Sequence, residues 1–169
     1  MGNKKPWNIP DVPIYSVVTQ HEGKVNMNIC TYVTPVSMKP KRYIVAVYYP
    51  TLTYQNITQS TQFVLQLLSE SQANIVRYLG QKSGLNFDKN QWLQQQKLKL
   101  PEHPYFMENW LGFQVLSHAK AHLMMNILDS WEGGDHQLFL CEVVKYKVSS
   151  MNVKELTLNY LRDKKLVRM

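Results

Sequence analysis

Residues 119–131 and 136–148 are two long β-prone runs, and only Glu132-Gly133-Gly134-Asp135 lies between them. Paired glycines followed by an aspartate form a turn signal, so the two runs read as one long antiparallel hairpin. Such a hairpin offers long edges that the rest of the chain must cover. Residues 43–49, YIVAVYY, are β-branched or aromatic almost throughout. They are apolar at every position, which predicts a strand covered on both faces, and Pro50 stops it. Residues 14–19, 25–34, 63–68 and 111–116 read as further strands, with a hairpin turn at His21-Glu22-Gly23. Six or seven strands with few helices argue for a barrel, because closure removes edges that a small sheet must otherwise protect.

The helical signals are short. Residues 53–58 suit a helix with Thr51 or Thr53 as N-cap. Residues 71–80 place Ile75, Val76 and Leu79 at helical spacing, with Ser69 or Ser71 as cap and Gly80 or Gly84 as stop. Residues 85–108 are polar, anchored by Trp92 and Phe106, with a turn or two of helix over 90–97. Residues 1–12 read as a proline-bearing arm and 35–41 as a polar connection with two prolines. Residues 154–168 carry Leu156, Leu158, Leu161 and Leu166, as a short helix or arm would. No internal repeat is evident, so a single domain over 1–169 with its core at 14–148 is expected.

At 169 residues and 44% apolar content the chain can bury one sizeable core. The formal charge of +7, from 19 basic and 12 acidic side chains, favours anionic partners without choosing among them. Lys4, Lys5, Arg162, Lys164, Lys165 and Arg168 hold much of that excess and read as solvated terminal charge. Cys30 and Cys141 belong to no CxxC or zinc pattern and suit buried free thiols in a reducing compartment. The segment MGNKKPWNIPDV lacks the apolar core of a signal peptide. Its Met1-Gly2 start departs from a myristoylation pattern at Pro6. No apolar run is long enough to cross a bilayer. A soluble cytoplasmic protein is the expectation. His103, His118 and His122 have no ligand spacing, so no metal is expected. No GxGxxG, phosphate-binding loop or nucleophile elbow is present.

Three groups of residues could carry chemistry. Asn28, Thr31, Thr34 and Ser37 gather hydroxyls and an amide near a strand end, with Lys39, Lys41 and Arg42 close by in sequence. They suit the polar edge of a ring or a phosphate; the plainer alternative is a solvent-facing strand end. Thr51, Thr53 and Tyr54 follow the 43–49 strand, where hydroxyls and N–H groups favour an anion, or simply cap a helix. In Gly133-Gly134-Asp135-His136 an imidazole stands beside a tight turn, where Asp135 can orient it; a turn followed by a surface histidine is the bland version. Tyr43, Tyr48 and Tyr49 with Lys41 and Arg42 imitate a nucleic-acid stacking face only if those rings are exposed. The burial expected of the run argues against nucleic acid.

In order along the chain, MNICTYVTPVSMKPKRYIVAV, YYPTLTYQNITQSTQFVLQLLS and GGDHQLFLCEVV resemble successive motifs of the flavin reductase-like, FMN-binding split-barrel family. The match spans residues 14–148. The resemblance implies a mainly β, Greek-key split barrel with a few peripheral helices, usually a homodimer. It implies FMN bound along Asn28, Ile29, Cys30, Thr31, Tyr32 and Val33, with the Thr31 hydroxyl at the ring's polar edge. Tyr49, Pro50, Thr51, Thr53 and Tyr54 would hold the ribityl chain and phosphate, assisted by Ser37 and Lys39. His136 would stand near the ring or a nicotinamide and is the one catalytic candidate. The implied reaction is hydride transfer from NAD(P)H to flavin, onward to a flavin or small redox acceptor; a non-enzymatic FMN-binding electron carrier is the alternative. Three positions depart from the family pattern: Cys30 where Met or a small apolar residue is common, Tyr32 where a small residue is common, and Cys141 where glycine is frequent.

Overall fold

The structure, a computed structural model, describes residues 5–99, 106–149 and 152–167; Lys4, Arg168 and Met1-Gly2 of the sequence reading lie outside them. After a 3-10 turn at Pro6–Asn8, seven of the described strands form one antiparallel sheet. They are β1 (Tyr15–His21), β2 (Lys24–Cys30), β3 (Val33–Ser37), β4 (Arg42–Tyr48), β5 (Gln62–Leu67), β8 (Ala121–Glu132) and β9 (His136–Val148). A separate ribbon pairs β6 (Met107–Trp110) with β7 (Phe113–Leu116). The α-helices are α1 (Leu52–Ile57), α2 (Val76–Gln81), α3 (Lys89–Lys99) and α4 (Leu158–Asp163), and a 3-10 segment at Glu70–Ile75 leads into α2.

The sheet order is β2-β1-β5-β8-β9-β4-β3. Its two ends, β2 and β3, are consecutive in the chain and separated only by Thr31 and Tyr32. Three residue steps reach about 10 Å at most, so the ends of the sheet must meet and the sheet curls into a split barrel. At the junction the Ala46 N–H donates to the Tyr32 carbonyl at 2.9 Å, and the Cys30 thiol donates to the Ala46 carbonyl at 3.4 Å. The sequence reading put one strand over 25–34. The run breaks at Thr31-Tyr32 because the chain there leaves β1 and joins β4. Pro35 lies inside β3, opposite Tyr43, where an end strand tolerates a residue without an N–H. The polar connection expected over 35–41 is correspondingly shorter. The expected Greek-key split barrel is the fold observed.

The hairpins follow their turn chemistry. Glu22 and Gly23 both take positive φ between β1 and β2, as a two-residue hairpin requires. Leu111 and Gly112 do the same between β6 and β7, so the strand expected from 111 starts at Phe113. Gly134, at φ 94°, turns the long β8–β9 hairpin.

Strands β1 and β5 are covered on both faces, as alternation allows. Val17, Phe63 and Leu65 point into the barrel with Val45, Val47, Ile57, Met125, Phe139 and Cys141. Val18, Val64 and Leu68 point outward under Leu79, Leu93, Leu116 and Leu161. Strand β4, expected to be covered on both faces, is not. Val45 and Val47 face the barrel core, while Ala46 and Tyr48 line a cavity. Of the two candidate caps for α1, Thr51 serves: its hydroxyl accepts from the Tyr54 N–H at 3.1 Å and donates to the Tyr48 carbonyl at 2.8 Å. Ser69 and Gln72 form a capping box before α2. The tail packs on its own barrel, with Leu156 bonded to Leu68 and Ile14 through the backbone. His122 is buried, its Nε2 2.9 Å from the Leu116 carbonyl. Among the described residues no helix is long and apolar enough to cross a membrane.

Candidate functional site

The closure of the barrel creates a groove. Its larger compartment, about 430 Å³, is lined by the end of β2 and the crossing from Asn28 to Tyr32, by Ala46 and Tyr48 of β4, and by His136 at the start of β9. Thr51, Thr53 of α1 and Gly80 of α2 complete it. A smaller compartment of about 190 Å³ adjoins it, sharing Asn28, Tyr48, Thr51, Thr53 and Gly80, and is bounded by Pro50, residues 81–84 and Lys89.

Three rings wall the larger compartment. The His136 imidazole lies 5.2 Å from the Tyr32 ring and 5.2 Å from the Tyr48 ring, tilted against both. Asp135 Oδ1 sits 2.6 Å from His136 Nδ1 and fixes the orientation of the imidazole. Nε2 has no partner among the described residues. The crossing from Asn28 to Tyr32 adds the Asn28 amide, the Thr31 hydroxyl and main-chain groups. The Cys30 thiol is pushed up to about 12 by burial, as is that of Cys141 in the barrel core. Both cysteines are free thiols, and neither is a nucleophile at neutral pH.

The smaller compartment has a different character. The Asn26 amide donates to the buried Thr53 hydroxyl oxygen at 2.8 Å, which leaves the Thr53 O–H proton available. Thr51, by contrast, has both hydroxyl roles committed to the cap. The formally charged side chains among the described residues lining the two compartments are Lys82 and Lys89, and no carboxylate joins them. A neutral, ring-walled slot therefore leads to a cationic end. That donor set suits a planar, mostly uncharged ring system with an anionic tail.

The structure brings together Asn28, Ile29, Cys30, Thr31, Tyr32, Thr51, Thr53 and His136, with Pro50 on the smaller compartment. The other sequence candidates line neither. Ser37 and Lys39 lie toward the β3–β4 turn, at the Arg42 end of β4, while the groove is at the Tyr48 end; seven strand residues separate these ends by about 20 Å. Val33 and Tyr54 pack against the barrel core. Tyr49 donates to Gln137 Oε1 and meets Tyr54 edge-on. Of the three tyrosines weighed as a stacking face, Tyr43 also packs on the barrel core and only Tyr48 lines the groove. Sequence reasoning missed Tyr48, Gly80, Lys82 and Lys89. Tyr48 was legible as the last residue of its strand before Pro50; the others come from elements whose placement no local signal announces. Among the described residues no cluster of three or more His, Cys, Asp or Glu is placed to hold a metal ion.

A split barrel with such a groove at its seam offers donors for a planar ring with an anionic tail. The chain belongs to the flavin reductase like domain family, whose profile matches residues 11–166. No curated protein matches it significantly. Solved structures that it resembles include the FMN-binding protein of Thermus thermophilus with bound p-hydroxybenzaldehyde, at 21% identity, covering 89% of this chain and 80% of that one, TM-score 0.73. The NADH:FAD oxidoreductase of Streptomyces globisporus with NAD and FAD fragments resembles it at 19% identity, covering 88% and 81%, TM-score 0.73. The styrene monooxygenase flavin reductase of Pseudomonas putida does so at 19% identity, covering 87% and 85%, TM-score 0.69. At these identities the likeness is one of fold. Family membership supports a flavin-binding oxidoreductase of the flavin reductase kind.

Proposed function

We propose that this protein is an FMN-dependent NAD(P)H oxidoreductase, a flavin reductase or close relative. The observation that carries the reading is the groove's polarity: a neutral slot walled by Tyr32, Tyr48 and His136 that ends at Lys82 and Lys89 with no carboxylate among the described lining residues. The smaller compartment has room for a phosphate beside the two lysines. The Streptomyces protein carries NAD and FAD fragments and the Thermus protein binds FMN, which supports a nicotinamide and a flavin as partners here.

A bound flavin would supply the hydride-accepting chemistry, which belongs to the cofactor. The chain's own residues place and shield it. Main-chain groups from Asn28 to Tyr32 and the Thr31 hydroxyl hold the polar edge of the ring. Thr53, with its free O–H, and the two lysines hold the phosphate. Tyr32 and Tyr48 exclude water from the mouth, and His136, oriented by Asp135, presents Nε2 there. A homodimer fits the apolar residues left exposed on β8 and β9, namely Leu128, Trp131, Val144, Tyr146 and Val148; a monomer by light scattering would overturn that part. The free thiols fit a reducing cytoplasmic setting.

The carrier alternative has one observation in its favour. Tyr32 is 63% exposed at the mouth of the groove, where a nicotinamide must stack. Anaerobic titration of the FMN-loaded protein with NADH and then NADPH decides. Bleaching of the oxidised flavin bands is expected, bands that persist with both reductants would favour the carrier, and failure to take up FMN would sink both readings.

Two substitutions refine the site. Loss of the Thr53 hydroxyl in Thr53→Ala is expected to weaken FMN binding by about 1–3 kcal/mol; unchanged affinity would remove Thr53 from the phosphate end. His136→Ala is expected to slow flavin reduction about tenfold, the kinetic equivalent of one hydrogen bond, with a smaller change in FMN affinity. Equal reduction rates would take His136 out of the reaction.

A further inference from the structure

An otherwise apolar layer on the outer face of the barrel carries a row of polar side chains. Ser16 of β1, Gln66 of β5 and His122 of β8 are successive cross-strand partners. They share a face with Val18, Val64 and Met124, two residues along each strand, and are exposed by 0%, 0% and 1%. From this row two side chains reach the end of the β6–β7 ribbon. Gln66 Oε1 accepts from the Leu116 N–H at 2.6 Å, and His122 Nε2 lies 2.9 Å from the Leu116 carbonyl oxygen. A carbonyl only accepts, so Nε2 carries the proton and Nδ1 of the neutral ring is a bare acceptor. Both backbone groups of Leu116 are held, as a neighbouring strand would hold them. Behind that grip, Ser16 Oγ, Gln66 Nε2 and His122 Nδ1 have no partner among the described residues. Apolar side chains would fill the same layer without burying unpaired polar atoms, so packing alone does not account for the row.

We propose that this row is an acid-sensitive latch, which holds the β6–β7 ribbon on the barrel while His122 is neutral and releases it when Nδ1 takes a proton. The surroundings disfavour a second N–H on the ring. On β5, Gln66 has only its NH2 group left to offer, because its oxygen is committed to Leu116. On β1, Ser16 is neutral and one strand further away. On β9, Lys147 is the cross-strand partner of His122, and its ammonium is paired with Glu108 of β6. Trp110 of β6 lies against the imidazole, with ring centroids 5.7 Å apart. Glu108 is the one carboxylate among these groups, and Lys147 holds it. Turning the Gln66 amide to accept from Nδ1 would set its NH2 group against the Leu116 N–H, donor against donor. Burial is the largest influence on His122 and lowers its pKa; the Leu116 carbonyl and Glu108 oppose it, and Lys147 adds to it. The released ring, in water, therefore binds a proton more readily than the docked ring. Docking is complete above about pH 6.5 and weakens as the pH falls below it. Release uncovers Met107, Phe113, Val115 and Leu116, which are buried in that layer.

Hydrogen exchange of the whole native protein, corrected for intrinsic rates, reads the latch directly. Protection of β6 and β7 is expected to fall about tenfold between about pH 7.5 and about pH 5, while β4 and β9 keep theirs. At about 1.5 pH units below the free imidazole's pKa of about 6.5, the most that one histidine can contribute is roughly thirtyfold. In His122→Gln, whose amide donates to Leu116 but takes up no proton, ribbon protection is expected to be flat over the same range. The imidazole nitrogens of the native protein, followed by NMR, are expected to show the Nε2–H tautomer at neutral pH. Their protonation on acidification is expected to coincide with the loss of ribbon protection. Native protection that does not change with pH, or an equal loss in His122→Gln, would overturn the latch. So would an Nδ1–H tautomer at neutral pH, a result that needs no variant and stands even where His122→Gln fails to fold.

Discussion

Phe63→Ala is expected to destabilise the protein by about 3–5 kcal/mol, the range for deleting a buried phenylalanine ring. For a chain of this size that corresponds to a melting point lower by roughly 6–20 °C. Phe63 has no exposed surface. It belongs to β5, which is bonded on one side to β1 and on the other to β8, where Met125 is its cross-strand partner. The ring fills the barrel interior with Val17, Phe139 and Ile57 of α1. Neither neighbouring strand can move inward without breaking a ladder, so the cavity stays open and the cost falls at the upper end. Equilibrium denaturation measures it. A loss under about 1 kcal/mol would mean that the barrel interior is not closed around this ring.

The same residue shows why much of the fold is legible in the sequence. Phe63 and Leu65 alternate with Val64 and Gln66, and a turn-rich stretch precedes them; period and turn chemistry are local facts. The long hairpin is legible for the same reason, through Gly133-Gly134. The break between β2 and β3 is not. Thr31 and Tyr32 carry no glycine or proline, and the break exists because the barrel closes there, a contact between strands far apart in the sheet order. The Leu111-Gly112 turn was hidden by a leucine at positive φ.

The candidate groove divides along the same line. Its strand-edge half could be read from polar residues at the ends of β-prone runs: Asn28, Thr31, Thr51, Thr53 and His136. Its cationic half could not. Lys39, expected with Ser37 to assist at a phosphate, follows β3 toward the Arg42 end of β4. Lys89 lies in a polar stretch that reads as solvated, and only the docking of α3 against β2 buries it. The YIVAVYY run misled in the opposite sense: every residue is apolar, but one face of its second half lines the groove. An apolar wall for a planar ring and an apolar core face have the same sequence signature.

Gly84→Ala is expected to cost about 1–3 kcal/mol of stability and to weaken FMN binding about tenfold, although alanine is the smallest change a glycine can suffer. Gly84 does not take positive φ, so what it supplies is space. A Cβ there would stand 2.4 Å from Asn26 Oδ1 and 3.2 Å from the Leu52 Cβ. Asn26 is 3% exposed and its amide is tied to the Thr53 hydroxyl. The added methyl must therefore either lift the loop after α2 or turn the Asn26 amide away from Thr53. The first is overpacking, worth about 1–3 kcal/mol. The second leaves a buried amide and hydroxyl unpaired, worth a similar amount. Both disturb the groove at its phosphate end, because the loop carries Lys82 and the bond positions Thr53. Riboflavin, lacking the phosphate, should lose less affinity than FMN. Thermal melts and paired flavin titrations read the two effects separately. A stability change within about 0.5 kcal/mol would show that the loop is not seated on Asn26, and equal losses for the two flavins would detach this end of the groove from the phosphate.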